Sequence, residues 1–329
     1  MQQTYLQAVA AALQEEMRRD DKILIFGEDV AEFGNIFGVT RGMLEEFGPK
    51  RVRNTSISET AIVGTALGAA VTGLRPVAEL MYADFTLVAF TEIFHCVSKW
   101  RFMHGDAYKL PLVIRCAMGS SFGAGAEHSN CVESLFMHAP GMTIICPTTP
   151  YDAKGLMASA LVGTDPVVFF ESQRIYDVGE QFHEGGVPAE YYEIPFGKAD
   201  IKREGKDLTI ITWSRAVNFS LEAADMLAKE GIDVEVLDLR TLVPIDWEAI
   251  KASVSKTHNV IIVSEEVKRG SYAGEISAQI AEELFDELDA PVERVCGLNI
   301  VSPFSPVLED LNFPHPEDIA KAVKRVLNK

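Results

Sequence analysis

LTIITWSRAVNFSLEAADMLAKEGIDVEVLDL, residues 208–239, decides the fold class of this chain. It opens on an apolar run of strand length, LTIITW (208–213), and closes on a second, VEVLDL (234–239). Between them, residues 215–230 carry apolar positions at helical spacing. Two strands joined by a helix-length crossover lie parallel, with the helix covering one face of the sheet. Moving outward, VIIVSEE (260–266) and VERVC (292–296) continue the alternation, with helices expected near 247–255, 272–286 and 316–327. The first half repeats the pattern through ILIF (23–26), PVAEL (76–80), LVIRC (112–116), TIIC (143–146) and VVFF (167–170). Thr4 is placed to cap a first helix whose apolar face runs through Leu6, Val9, Ala10, Leu13 and Met17. The alternation fails in QRIYDVGEQFHEGGVPAEYYEIPFG (173–197), rich in Gly, Pro, acids and aromatics. It therefore marks an interdomain crossing. The expectation is an α/β protein of two domains, each a mainly parallel sheet covered by helices: residues 1–175, a crossing at 176–197, and residues 198–329.

A length of 329 residues suits two domains, and a hydrophobic content of 47% supplies two cores. With 48 acidic against 30 basic residues the formal charge is −18, which disfavours nucleic acid as a partner. The five cysteines form no C-x-x-C pair, and an odd count suits a reducing compartment. The N-terminus resembles neither a signal nor a transit peptide, and no apolar run reaches the roughly 18 residues of a membrane span. A cytoplasmic protein is expected.

Three places suggest chemistry. Glu28, in FGEDV, follows the apolar run ILIF directly, where ligands of open α/β sheets gather. A solvated loop acid is the alternative. Glu59, in NTSISETAIVG, stands at a loop-to-helix transition. By position alone it is an acid at a helix start favoured by the dipole, with Ser58 as cap. His128 ends the small-residue loop SSFGAGAEHSN (120–130) past a strand, a setting for acid–base work. Gly64 and Gly68 share one helical face, read as close packing within the fold, with a subunit contact as the alternative. No G-x-x-x-x-G-K-[ST] or strand–G-x-G-x-x-G–helix motif is present. Gly105-Asp106-Ala107 lacks the third glycine and paired asparagines of a diphosphate–magnesium motif.

Eight segments in order carry a resemblance: FGEDVAEFG, FGVTRGMLEEFGPKRVRNTSISE, TALGAAVTGLRPVAELMYADF, AEHSNCVESLFMHAPGM, CPTTPYDAKGL, DPVVFFE, LDLRTLVPID and PFSPVLEDLNFP. Together they resemble the beta subunit of the thiamine-diphosphate-dependent decarboxylating component of 2-oxo acid dehydrogenase complexes, over nearly the whole chain. The resemblance implies a pyrimidine-binding domain followed by a transketolase C-terminal-like domain. It also implies an α2β2 heterotetramer with an alpha subunit that holds magnesium and the diphosphate. Glu59 matches the glutamate on the aminopyrimidine ring nitrogen, and Glu28 a second glutamate near the cofactor. Phe85 matches an aromatic packed on the ring, and His128 a histidine used in transfer to the lipoyl group. Leu112, Ala160, Leu161, Gly163 and Asp165 match a potassium site built largely from main-chain carbonyls, with Gly163 where an acid is usual. Asp289 matches a contact to the dihydrolipoyl acyltransferase core. Glu127 stands where an uncharged residue is expected, which either alters substrate preference or points to solvent. The implied reaction is decarboxylation of a 2-oxo acid with acyl transfer to a lipoyl domain. Acetoin cleavage and a non-catalytic scaffold role are the alternatives.

Overall fold

The computed structural model describes residues 3–120 and 122–328, so Ser121 of the 120–130 loop lies outside the described residues. In chain order the elements of the first half are α1 (Tyr5–Arg19), β1 (Ile23–Gly27), α2 (Met43–Phe47), β2 (Val52–Asn54), α3 (Glu59–Val71), β3 (Arg75–Tyr82), α4 (Trp100–Met103), β4 (Val113–Met118), α5 (Glu133–Met137), β5 (Thr143–Ile145), α6 (Pro150–Val162) and β6 (Val167–Ser172). The second half contributes β7 (Asp200–Arg203), β8 (Leu208–Thr212), α7 (Ala216–Ala228), β9 (Val234–Asp238), β10 (Thr241–Val243), α8 (Trp247–Thr257), β11 (Val260–Val267), α9 (Tyr272–Glu283), β12 (Glu293–Gly297), α10 (Pro306–Asp310) and α11 (Pro316–Val326). Every strand expected from the apolar runs is present.

Two compact units result. One is built from the residues up to Met118 and from Leu135–Phe196, the other from Gly119–Ser134 and the chain from Gly197 onward. In the first unit the strands run β5-β6-β4-β3-β1-β2, and every pairing among them is parallel. Its core joins Ile23, Ile25, Val77 and Phe169 of the sheet to Val9, Leu13 and Met17 of α1 and Leu156 and Leu161 of α6. Burying each such side chain contributes about 1.5–3 kcal/mol. Thr4 caps α1 as expected: its hydroxyl accepts from Gln7 N, and the Gln7 side chain accepts from Thr4 N. In the second unit the order is β12-β11-β8-β9-β7, parallel except for the antiparallel edge strand β7. There Leu208, Ile210, Val234, Val236, Ile261 and Val263 pack against α7 and α11.

The crossing holds to the first unit up to Phe196 instead of standing apart. Lys154 of α6 is buried, donates to Pro188 O at 2.9 Å and pairs with Glu15 at 2.9 Å. Ile194 N donates to Gly155 O, and Ser159 Oγ donates to Ile194 O. The segment carrying His128, expected in the first domain, groups with the second unit. Ahead of α4 the chain makes a π-helical turn, Glu92–Val97. The reading of Gly64 and Gly68 is corrected. A Cβ at Gly68 would meet nothing within 4 Å and one at Gly64 only Glu92 Cγ, so this face of α3 does not pack closely inside its own unit.

Candidate active site

Because β3, β1 and β2 are adjacent and parallel, the residues that follow them leave the sheet at one edge. Glu28 follows β1, the loop to Glu59 follows β2, and the turn bearing Phe85 follows β3. That edge, past the carboxyl ends of strands, is where α/β sheets take ligands. Gly27 is required at the close of β1, since a Cβ there would collide with the carbonyl and side chain of Glu79 on β3.

Glu28 is not a solvated loop acid: it is 8% exposed, and its Oε1 has no hydrogen-bond partner. Burial, then the neighbouring Glu59 and Asp29, push its carboxyl above the ordinary glutamate value. Glu59 is the first residue of α3 and 6% exposed. Ser58 stands at the cap position but makes no capping hydrogen bond through its side chain. Among the described residues, none donates a hydrogen bond to the Glu59 carboxyl. Thr60 Oγ1 donates to Val88 O at 3.0 Å, tying the first turn of α3 to the turn that carries Phe85. Phe85 is half-buried and meets Tyr82 edge-on, with centroids 5.8 Å apart.

Beneath this edge lies a network that the sequence does not announce. Arg115 of β4 is fully buried between Glu79 of β3 and Glu171 of β6. Its Nη1 donates to Glu79 at 2.6 Å and its Nη2 to Glu171 at 2.8 Å. Asn35, buried at a positive φ of 68°, donates to the same Glu79 oxygen at 2.9 Å. It thereby clamps the loop that follows Glu28 onto the sheet. Burial raises Glu171 to about 7 against the pull of Arg115, and raises Glu79 in the same way.

In the second unit His128 is half-buried, and the Glu127 side chain beside it is exposed to solvent. The segment is anchored at both ends. Gly123 N donates to Glu309 at 2.7 Å, while Glu133 accepts from Trp213 Nε1 at 3.0 Å. Glu266 accepts from the backbone of Ser134 and Tyr272. Burial, then Glu266, raises the Glu133 carboxyl well above its usual range. Asp106, of the incomplete diphosphate-like motif, pairs with Arg101 and Lys109 on the surface. Asp289 lines a hollow with Phe285 and Pro291.

The five positions matched to potassium are largely committed within the chain. Leu112 O accepts from Val167 N at 2.9 Å, and Asp165 pairs with Arg101. Leu161 O and Gly163 O both accept from the guanidinium of Arg75.

Comparison with known proteins defines the class first. A transketolase pyrimidine-binding domain matches residues 1–178, and a transketolase C-terminal domain matches residues 197–319. A solved split-gene transketolase, described as an inactive β4 tetramer, superposes with a TM-score of 0.79 over 99% of this chain and 98% of its own at 24% identity. That likeness concerns the fold. Among curated proteins, the chain is 41% identical over 324 residues to the 2-oxoisovalerate dehydrogenase subunit beta of Bacillus subtilis, covering 98% of each. It is 43% identical over 321 residues to a pyruvate dehydrogenase E1 component subunit beta of Porphyra purpurea, covering 98% and 96%. It is 42% identical over 330 residues to an acetoin:2,6-dichlorophenolindophenol oxidoreductase subunit beta of Cupriavidus necator, covering 97% and 96%. The chain belongs to the family of E1 beta subunits of thiamine-diphosphate-dependent 2-oxo acid dehydrogenase complexes. No helix of the described residues is long and apolar enough to cross a membrane.

Proposed function

We propose that this chain supplies the aminopyrimidine half of a thiamine-diphosphate site. With an alpha subunit in an α2β2 assembly, it decarboxylates a 2-oxo acid and hands the acyl group to the lipoyl domain of a dihydrolipoyl acyltransferase. The observation that carries the proposal is the pair Glu28 and Glu59. Each carboxyl is less than a tenth exposed, and the two interact at the edge where β1 and β2 end. A buried polar group without a partner costs about 1–3 kcal/mol, and more when charged. A ligand that presents hydrogen-bonding nitrogens offsets that cost.

The family's cofactor, when bound, supplies a nucleophilic ring carbon and an electron sink for breaking the bond to a carboxylate. With the cofactor in place, the Glu59 carboxyl would hold a ring nitrogen of the aminopyrimidine and exchange a proton with it. Glu28, raised above the ordinary range, holds a proton more readily than a free glutamate and stands close enough to Glu59 for the two charges to interact. Phe85 offers an apolar ring face. His128 moves a proton during transfer to the lipoyl group.

Magnesium and the diphosphate fall to the alpha subunit. A chain of net charge −18 without a phosphate-binding motif is poorly suited to hold the diphosphate, and the magnesium goes with it. Asp289 and its hollow meet the acyltransferase core. The complex works in the cytoplasm, in keeping with five free cysteines. The acetoin-type relative, 42% identical, supports a second reading in which acetoin is the substrate.

Glu59→Gln in the reconstituted complex tests the proposal. Loss of turnover on pyruvate, branched-chain 2-oxo acids and acetoin, with assembly intact, supports it. Unchanged turnover sinks it in favour of a scaffold role. The preferred substrate of the unaltered complex separates the first reading from the second.

A further inference from the structure

We propose that the guanidinium of Arg75 stands in place of the potassium ion that the family resemblance implies, so that a complex built on this chain needs no monovalent metal cation. The helix α6 ends at Val162, with Gly163 at the cap. The last carbonyls of a helix have no partner inside it and carry the negative end of its dipole. This helix end therefore calls for a cation, whether a bound ion or a side chain.

Arg75, the first residue of β3, supplies one. Its Nε donates to Leu161 O at 2.9 Å, and its Nη2 donates to Gly163 O at 2.6 Å and closely to Leu161 O. On its other side Asp20 lies 3.6 Å away, and the side chain is only 18% exposed. The planar fork is thus held between an acid and the helix end, a geometry that suits guanidinium better than a compact ion.

Of the other positions, Leu112 O already accepts a sheet hydrogen bond from Val167, and the Asp165 carboxylate pairs with Arg101. A potassium ion sharing the Leu161 and Gly163 oxygens would sit against a fixed positive charge, and like charges at such range repel. A tethered cation also keeps its place at any salt composition. The inference rests on the family placement and is independent of the roles given to Glu28, Glu59, Phe85 and His128.

The test uses the assembled complex, stripped of potassium and melted in potassium, sodium or choline chloride at equal ionic strength. The wild type is expected to melt within about 1 °C in all three, a difference worth only tenths of a kcal/mol, and to carry no stoichiometric potassium by atomic emission. Arg75→Met is expected to lower the melting temperature by about 4–8 °C, the loss of charge-assisted hydrogen bonds. At least half of that loss returns with potassium but not with sodium. Arg75→Lys retains most of the stability. Stoichiometric potassium, or potassium-specific stabilisation, in the wild type would overturn the proposal. So would an Arg75→Met complex that folds and ignores potassium, which would make Arg75 an ordinary helix cap. Should that variant fail to fold, the wild-type cation series still decides.

Discussion

Two groups of buried glutamates in the first unit are treated in opposite ways by their surroundings. Glu79 and Glu171 sit against Arg115, on strands that the register places side by side, and Asn35 adds a further donor to Glu79. Glu28 and Glu59, at the end of the same sheet, face each other's charge and, among the described residues, receive no such donor. Glu79 and Glu171 are the more deeply buried, at 2% and 0% exposed against 8% and 6% for Glu28 and Glu59, and the two groups differ further in partnership. A buried acid answered by an arginine has its desolvation offset inside the chain and serves the fold. A buried acid left unanswered at a sheet edge is, in the function proposed here, a group that a ligand completes.

The sharpest way to break this contrast is to neutralise one member of each group. Glu59→Gln is expected to reduce turnover of the complex by about 10²–10⁴-fold, as for other positioned acid–base groups. Its denaturation midpoint should match the wild type. A stability loss in place of the activity loss would move Glu59 into the structural group. Arg115→Met is expected to do the reverse. Stranding two buried acids costs about 3–5 kcal/mol in denaturant unfolding, and an effect near zero would dissolve the distinction.

A smaller effect sharpens the comparison through pH. The folded value of Glu171, about 7, lies above the ordinary 4.5 of an unfolded chain, so the folded state binds the proton more tightly. Its contribution therefore lowers stability as pH rises from about 4.5 to 7, and levels off above that. In Glu171→Gln this decline should shrink by about 1–3 kcal/mol, read from urea unfolding at pH 5, 6, 7 and 8. An unchanged profile would show that Glu171 does not titrate in the folded state. The smallest change is expected from Glu28→Gln. Here cofactor affinity of the complex should weaken about tenfold, the loss of roughly one charged hydrogen bond. Calorimetry checks this, and a larger loss than in Glu59→Gln would reverse the order of the two acids.

Much of this contrast was invisible before the fold was known. The strands ILIF, PVAEL and VVFF are legible because interior parallel strands are buried on both faces and read as continuous apolar runs. VRN of β2 and DIKR of β7 escape that reading because both stand at sheet edges, where polar residues face water. The Arg115 network hides for a related reason. Each strand contributes one charge inside or at the end of an apolar run, and the partners lie 36 and 56 positions apart. The place of Glu28 after a strand suggests a site and equally a solvated loop acid. An acid opening a helix has an ordinary explanation, so the role proposed for Glu59 comes from the resemblance. Phe85 likewise depends on it, whereas His128 stands out as an acid–base candidate from its loop past a strand, and only its proposed part in lipoyl transfer comes from the resemblance. Only an alternation signal locates Asn35's loop, and nothing in that signal says the loop is bolted to Glu79.

In the function proposed above, Glu28 and Glu59 form one chain's share of a divided cofactor site. Calorimetric titration of thiamine diphosphate with magnesium tests it most directly, on this chain alone, on its alpha subunit alone and on the two assembled. Saturable binding in the assembled complex only, weakened by Glu59→Gln, is the expected result. Tight binding by the lone beta chain would contradict it, because the diphosphate would then have a home in a chain assigned none.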